Sequence, residues 1–408
     1  MKTILQINTN VGWNSTGRIA EDLGRMAIDA GWESYIAYGR EMNGRPQSAS
    51  RLIRIGSNTS TRLHGIATRL LDKHGLGSTG ATRDFLHRID ELEPDVVHLH
   101  NIHGYYLNYE ELFGYLARSG VPVVWTLHDC WPFTGHCAYF DSANCSRWQT
   151  GCFRCPLKGQ YPASRLLDNS KDNYIRKMRA FTQLSDLHIV GVSQWISDVV
   201  KQSFLKGYPT YVIHNGIEPR QSDAAVKEPG LVLGCASVWD ERKGLQSFFE
   251  LRKLLPAAYR IVLLGLTPRQ IRSLPAGIEG RQRISERLVL REWYQRASVF
   301  VNPSVSENLP VTNLEVQDCG TPVVCYDSGG MRETVATHSG IVVPHGDIRA
   351  MANAIKRVMF SPEEFSPEAC RRNVRENFDS SVNYKPYIDL YESLADRKNA
   401  KITQFMLK

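Results

Sequence analysis

With 408 residues the chain is too long for one ordinary core, and its length predicts two to three domains. A composition of 42% hydrophobic and 22% charged residues without a low-complexity tract describes a globular protein and excludes a disordered or fibrous one. No apolar run approaches the roughly eighteen residues of a spanning helix, and MKTILQINTN turns polar too early for a signal peptide, so the protein is expected in the cytoplasm.

The chain opens as strand, loop and helix: Thr3 to Ile7, Asn8 to Gly17, then Arg18 to Ala30. Gly12 and Gly17 bracket the end of that loop, where glycine backbones would allow close approach to a ligand, although an ordinary βα turn explains them as well. No dinucleotide fingerprint G-x-G-x-x-G is present. A short strand over Ser34 to Tyr38 leads into a polar loop to Ser50. The formal charge of +7 is uneven: Arg40 to Arg88 holds nine Arg and Lys (40, 45, 51, 54, 62, 69, 73, 83, 88) against Glu41, Asp72 and Asp84, a balance of +6. Such a stretch suits an anionic membrane, here the inner face of the cytoplasmic membrane, or an anionic substrate, or is simply solvated. Nucleic acid ranks last, because no recognition-helix or zinc-finger pattern accompanies it.

A helical pattern over Thr82 to Leu92 precedes strands at Asp95 to Leu99 and Val121 to Leu127, which end in His98, His100, Asn101 and His103 and in His128-Asp129. Imidazoles at strand C-termini lie where a doubly wound sheet builds its site, and for His98 and His100 a buried, hydrogen-bonded role is the simpler reading. Five of the nine cysteines follow, and Cys137, Cys145, Cys152 and Cys155 have the spacing C-x7-C-x6-C-x2-C. A structural zinc with four thiolate ligands, reduced buried thiols and disulfides all remain open for this insertion, residues 130–156. A helical stretch from Asp172 to Leu184 and strands at Leu187 to Val192 and Tyr211 to His214 close the first half, and EPRQSDAAVKEPG reads as an interdomain linker.

A second α/β pattern has strands at Leu231 to Ala236, Ile261 to Leu264, Val299 to Asn302, Val323 to Tyr326 and Ile341 to Val343. Alternating strands and helices on both sides of a linker imply two parallel sheets. Between the first of these strands and its helix lies SVWDERKGL, whose Arg242 and Lys243 suit a diphosphate, arginine as a bidentate donor and lysine as a point charge. After Val299 to Asn302 comes a loop with Glu307, then a helix from Val311 to Asp318 that begins after Pro310 and carries Glu315. A helix N-terminus at that sheet edge favours phosphate through its free N–H groups.

Glu307-x7-Glu315 followed by Cys319-Gly-Thr-Pro-Val-Val and Ser328-Gly-Gly-x-x-Glu333 resembles the C-terminal signature of the retaining glycosyltransferases of family 4. DVVHLHNIHGYY from Asp95, TLHDCWPFTGHC from Thr126, ASVWDERKGL from Ala236 and SENLPVTNLE from Ser306 extend the likeness over nearly the whole chain. It is nearest to the bacterial transferases that build colanic acid, capsule and O-antigen. The resemblance implies the GT-B fold: α/β, two Rossmann-like domains with parallel sheets facing a central cleft, and a C-terminal helix crossing back to the first domain. It implies an acceptor-binding domain over 1–217, a nucleotide-sugar-binding domain over 218–380, and the crossover segment 381–408, with its helix from Asn383 to Ala395.

By the same resemblance Glu307 would bind donor-sugar hydroxyls, Glu315 the nucleotide ribose, and Lys243 the diphosphate. His128 would lie beside the transferred sugar, the loop at Gly12 and Gly17 would approach the reacting centre, and Asn308, Leu309 and Val311 would line the donor. Many family members have an arginine six residues before the lysine; Ser237 stands there, which leaves Arg242 to complete the clamp. The implied reaction retains configuration and needs no catalytic metal or other cofactor. Its donor would be a UDP-, GDP- or dTDP-sugar, and its acceptor a saccharide or lipid-linked saccharide. A nucleotide-sugar epimerase of the same architecture and a zinc-bearing binding module are the alternatives.

Overall fold

A computed structural model describes residues 1–41, 44, 46–220 and 226–406, without the side chains of 399 and 401–406. Arg45 of the basic stretch, residues 221–225 of the expected linker and residues 407–408 of the final segment lie outside the described residues. The chain divides into two compact units, Met1–His214 with Tyr384–Lys408, and Asn215–Asn383.

In the first unit seven parallel strands are β1 (Thr3–Asn8), β2 (Glu33–Tyr38), β3 (Arg51–Arg54), β4 (Val96–Leu99), β5 (Val123–Leu127), β6 (Leu187–Gly191) and β7 (Thr210–Val212), in the order β3-β2-β1-β4-β5-β6-β7. The central strands are buried along their whole length and mostly apolar, with Gln6, His98, Thr126 and His188 among their polar members, because helices cover both of their faces. The helix Asn14–Asp29 shows the pattern: Ile19, Ala20, Leu23, Gly24 and Ala27, spaced by one, three or four, form its buried side.

Six parallel strands build the second unit: β8 (Leu231–Cys235), β9 (Arg260–Leu264), β10 (Ile278–Arg281), β11 (Val299–Asn302), β12 (Val323–Tyr326) and β13 (Gly340–Val343), in the order β10-β9-β8-β11-β12-β13. Both orders reverse once, between β1 and β4 and between β8 and β11. These are the switch points at whose C-terminal edge open α/β sheets bind ligands.

The final helix, Lys385–Met406, extends well beyond the expected Ala395. Tyr384, Tyr387, Tyr391, Leu394 and Ala395 are buried against Ile4, Leu23, Val96, Val124 and Val190 of the first unit. Their three- and four-residue spacing is a helical face, and Lys2 and Trp32 both bind Glu392 on its flank.

Candidate functional site

In the second unit β8 and β11 each end in a loop, and the two loops meet. Gly244 holds φ +71°, and a Cβ there would lie 2.2 Å from the Pro303 carbonyl oxygen. Val305 N donates to the Arg242 carbonyl at 2.8 Å. Glycine is therefore required at 244 both for its backbone angle and for the close approach of the chains.

This contact brings Arg242, Lys243 and Glu307 together. Arg242 Nη1 donates to Glu307 Oε1 and to the Ser306 carbonyl, each at 2.9 Å, and Lys243 Nζ donates to the same Oε1. Burial alone would raise the Glu307 pKa, but the charges of Lys243 and Arg242 outweigh it and hold the carboxyl below the usual range. The carboxylate is nearly enclosed, while both cations keep about a fifth of their side chains in solvent (21% each). A positive rim over a buried carboxylate can bind an anion without unfolding the loop.

Behind the site a second layer fixes the Glu307 backbone. Gly330 N donates to the Glu307 carbonyl at 3.3 Å, and a Cβ on Gly329, at φ +57°, would lie 1.7 Å from that oxygen. Asn302 Nδ2 donates to Asn313 Oδ1, and Asn313 Nδ2 donates to Thr334 Oγ1, both at 2.9 Å, which ties the end of β11 to the helix Val311–Asp318. That helix has the expected bounds. Asn308, Leu309 and Val311 are buried around its start, and Glu315 is half-buried on it. Ser237 is exposed.

The first unit holds a histidine chain at its own switch point. His98 is buried between Tyr391 (Nδ1 to the hydroxyl, 2.6 Å) and Thr126 (Nε2 to Oγ1, 2.8 Å). Gln6 Nε2 donates to the Ala20 carbonyl at 2.9 Å, so its Oε1 faces His100 Nε2, 3.0 Å away, and must accept that proton. His100 Nδ1 is then bare and accepts from His128 Nε2 at 3.2 Å. The neutral His128 is left with its lone pair on Nδ1. Loss of water around the packed rings lowers the His128 pKa to about 4, so it is neutral at pH 7. Beside it His103 Nε2 pairs with Asp129 Oδ2 at 2.9 Å. Gln6, which sets this chain, escaped the sequence reading; its one signal is a polar residue inside the otherwise apolar strand TILQI.

Gly12 lies in the loop after β1 at φ +67° and is exposed. Gly17 does not lie in that loop. The helix starts at Asn14, four residues before the expected Arg18, and Gly17 is buried in its first turn, where a Cβ would lie 2.2 Å from Asn10 Oδ1. Its small size serves packing of the loop against the helix.

Cys137, Cys145, Cys152 and Cys155 line one small cavity with His136. Gly135 N donates to Cys152 Sγ at 3.2 Å, and His136 Nδ1 is bonded to the buried Asp72 at 2.5 Å. A hydrogen bond from Cys137, with the nearby His136, brings the Cys155 thiol down to about 7. All four are free thiols in this arrangement, and among the described residues no three His, Cys, Asp or Glu side chains are placed to hold one metal ion.

A family model described as Glycosyltransferase Family 4 matches residues 16–221, just over half the chain, and one described as Glycosyl transferases group 1 matches residues 230–360. The chain belongs to glycosyltransferase family 4. This glycosyltransferase is 23% identical, over 96% of its own length and 100% of the other, to an Escherichia coli K12 protein provisionally named the colanic acid biosynthesis glycosyl transferase WcaC. Its fold is similar to that of sucrose-phosphate synthase from Thermosynechococcus elongatus, with TM-score 0.70 and 17% identity over 97% and 99% of the two chains. HepE of Anabaena, solved in complex with UDP-glucose, gives TM-score 0.64 and 14% identity over 96% and 100%. The two parallel-sheet Rossmann-like units are thus those of the GT-B fold. No helix among the described residues of this family 4 enzyme is long and apolar enough to cross a membrane.

Proposed function

We propose that this glycosyltransferase moves a sugar, with retention of anomeric configuration, from a nucleotide-sugar donor to a saccharide acceptor that is lipid-linked, in bacterial surface polysaccharide biosynthesis. The observation that carries the reading is the meeting of Arg242, Lys243 and Glu307 at the switch point of the second sheet. Departure of the donor's diphosphate breaks the anomeric C–O bond and leaves its electron pair on a phosphate oxygen. Arg242, Lys243 and the N–H groups at the start of the helix Val311–Asp318 supply positive charge there. Glu307 accepts hydrogen bonds from the sugar hydroxyls and Glu315 from the ribose. The acceptor hydroxyl attacks from the face the diphosphate leaves, and its proton passes to the departing phosphate oxygen. Two fixed cations at the leaving group let this scheme run without a catalytic metal. His128, neutral and with Nδ1 bare, would accept a hydrogen bond from the transferred sugar rather than carry charge. The colanic acid assignment of the E. coli relative supports a surface polysaccharide, and the UDP-glucose held by HepE supports UDP-sugars as the first donors to try.

The test is release of nucleoside diphosphate from a panel of UDP-, GDP-, dTDP- and ADP-sugars by wild type, Glu307→Ala and Lys243→Ala. Release from one donor, faster with acceptor and lost in both variants, is expected. Interconversion of the donor sugar without release would replace the reading with epimerisation.

A further inference from the structure

The basic stretch does not act as one patch. Arg51 pairs with Glu33 (3.3 Å), Arg54 with Glu41 (3.2 Å), Arg83 with Glu111 (2.8 Å) and Arg88 with Glu91 (3.0 Å), so this part of the stretch is balanced by acids. Arg62, Arg69 and Lys73 are exposed and make no ion pair among the described residues. They belong to the helix Asn58–Leu71 and its exit, and residues 55–71 contain no acid.

That helix is inverted in character. Its buried side carries His64, Gly65 and Thr68, small or polar, while Leu63, Ile66, Leu70 and Leu71 face outward with 63%, 51%, 42% and 40% of their surface exposed. At 100° per residue Arg69, Arg62, Ile66, Leu70 and Leu63 span one continuous sector of about 120°, cations at one edge and aliphatic side chains at the other. The segment 165–167 widens this face. Arg165 N donates to the Arg69 carbonyl at 2.7 Å and Leu167 N to the Leu70 carbonyl at 3.3 Å, which sets Leu166 and Leu167, 66% and 47% exposed, beside the last turn. Arg165 adds a fourth cation that makes no ion pair among the described residues, and the adjoining Asp168, itself exposed, accepts hydrogen bonds from Cys155 N and from the N–H and hydroxyl of Ser170.

We propose that this face, the helix Asn58–Leu71 with residues 165–167, docks on a bilayer containing anionic lipid. Exposed aliphatic side chains in one stripe favour the acyl boundary, and cations along its margin favour the headgroup phosphates just above it. A second copy of the chain fits less well, because a two-fold contact would set the same four cations against each other. The proposal does not depend on the donor chemistry proposed above, and its test measures binding instead of turnover.

The full chain is sedimented with vesicles of phosphatidylcholine alone and of phosphatidylcholine with phosphatidylglycerol in equal parts, over a range of salt. Wild type should bind the anionic vesicles and should bind them less as salt rises. Arg62→Gln with Arg69→Gln, and separately Leu63→Ser with Leu70→Ser, should each weaken that binding by about tenfold, since anchoring by such a surface needs both the charge and the apolar insertion. All four positions are exposed, so the variants should keep the wild-type thermal midpoint. No binding by wild type, or equal binding by wild type and both variants, overturns the proposal. So does concentration-dependent self-association that the leucine variant abolishes while vesicles capture nothing.

Discussion

Arg242 donates to Glu307 across the junction of two loops, 2.9 Å from Nη1 to Oε1, and Lys243 reaches the same oxygen. One carboxylate oxygen thus gathers two cations that an incoming diphosphate would also attract. Glu307→Gln should lower turnover sharply while leaving the fold intact, and should cost about 1.5–3 kcal/mol of stability, the usual worth of hydrogen bonds to a charged group. Denaturant midpoints and nucleoside diphosphate release measured on the same preparation check both halves.

The pH dependence of that loss has a definite sign. Folding lowers the Glu307 pKa, so its contribution is present above the unfolded value of about 4.3 and disappears as pH falls through the lower folded value. The gap in thermal midpoint between wild type and Glu307→Gln should therefore be widest near neutral pH and should close in acid. A gap that stays constant down to the acid limit would show that the carboxylate is not held ionised by its two cations.

Gly329 tests the second layer. At φ +57°, with the Glu307 carbonyl oxygen 1.7 Å from where a Cβ would sit, Gly329→Ala cannot be accommodated unless the Glu307 backbone moves. Activity should fall at least about tenfold although residue 329 need touch no substrate, because a shift of even 1 Å in positioned groups costs that much or more. Gly31→Ala is the matched control: it also has positive φ, +86°, but no atom of the described residues lies within 4 Å of its added carbon, so only stability should respond.

Within the cysteine insertion, the hydrogen bond from Cys137 and the nearby His136 hold Cys155 at about 7, whereas burial raises Cys152 to about 11. Iodoacetamide at pH 8 should therefore alkylate Cys155 well before Cys152, as mass spectrometry of tryptic peptides would read. Protection of all four thiols by added zinc, lost with a chelator, would instead show that the segment closes around metal.

Most of the second unit was legible because its site lies where apolar runs stop. Val299 to Asn302 and Val311 to Asp318 are found as expected, since a buried strand and a proline-started helix have strong local signals. The edge strands β3 and β10 escaped. RLIR and IEGR contain no apolar run, and their pairing with β2 and β9 comes from backbone partners remote in sequence. The same limit hid the division of the basic stretch. Charge counting finds nine cations between Arg40 and Arg88, but which of them face Glu33, Glu41, Glu111 or Glu91 is decided by folding.

Gln6 shows how far along a hydrogen-bond chain such long-range placement can act. Its carbonyl oxygen takes the Nε2 proton of His100, and His100 in turn fixes His128 with a bare Nδ1. Gln6→Met removes that oxygen while nearly keeping the volume, so His100 can reverse its protonation and His128 can follow. If His128 works through Nδ1 as proposed, kcat should fall about tenfold or more, as losses of ligand-orienting partners commonly do, while KM for the donor changes little. Nitrogen shifts of the two His128 ring atoms should pass from one dominant tautomer to a mixture. Because burial holds His128 at about 4, the wild-type rate should not respond to its titration between about pH 5.5 and 8. A rate that dropped in step with protonation near 6.5 would mean that the ring is charged when it acts, and would remove the neutral relay from the mechanism.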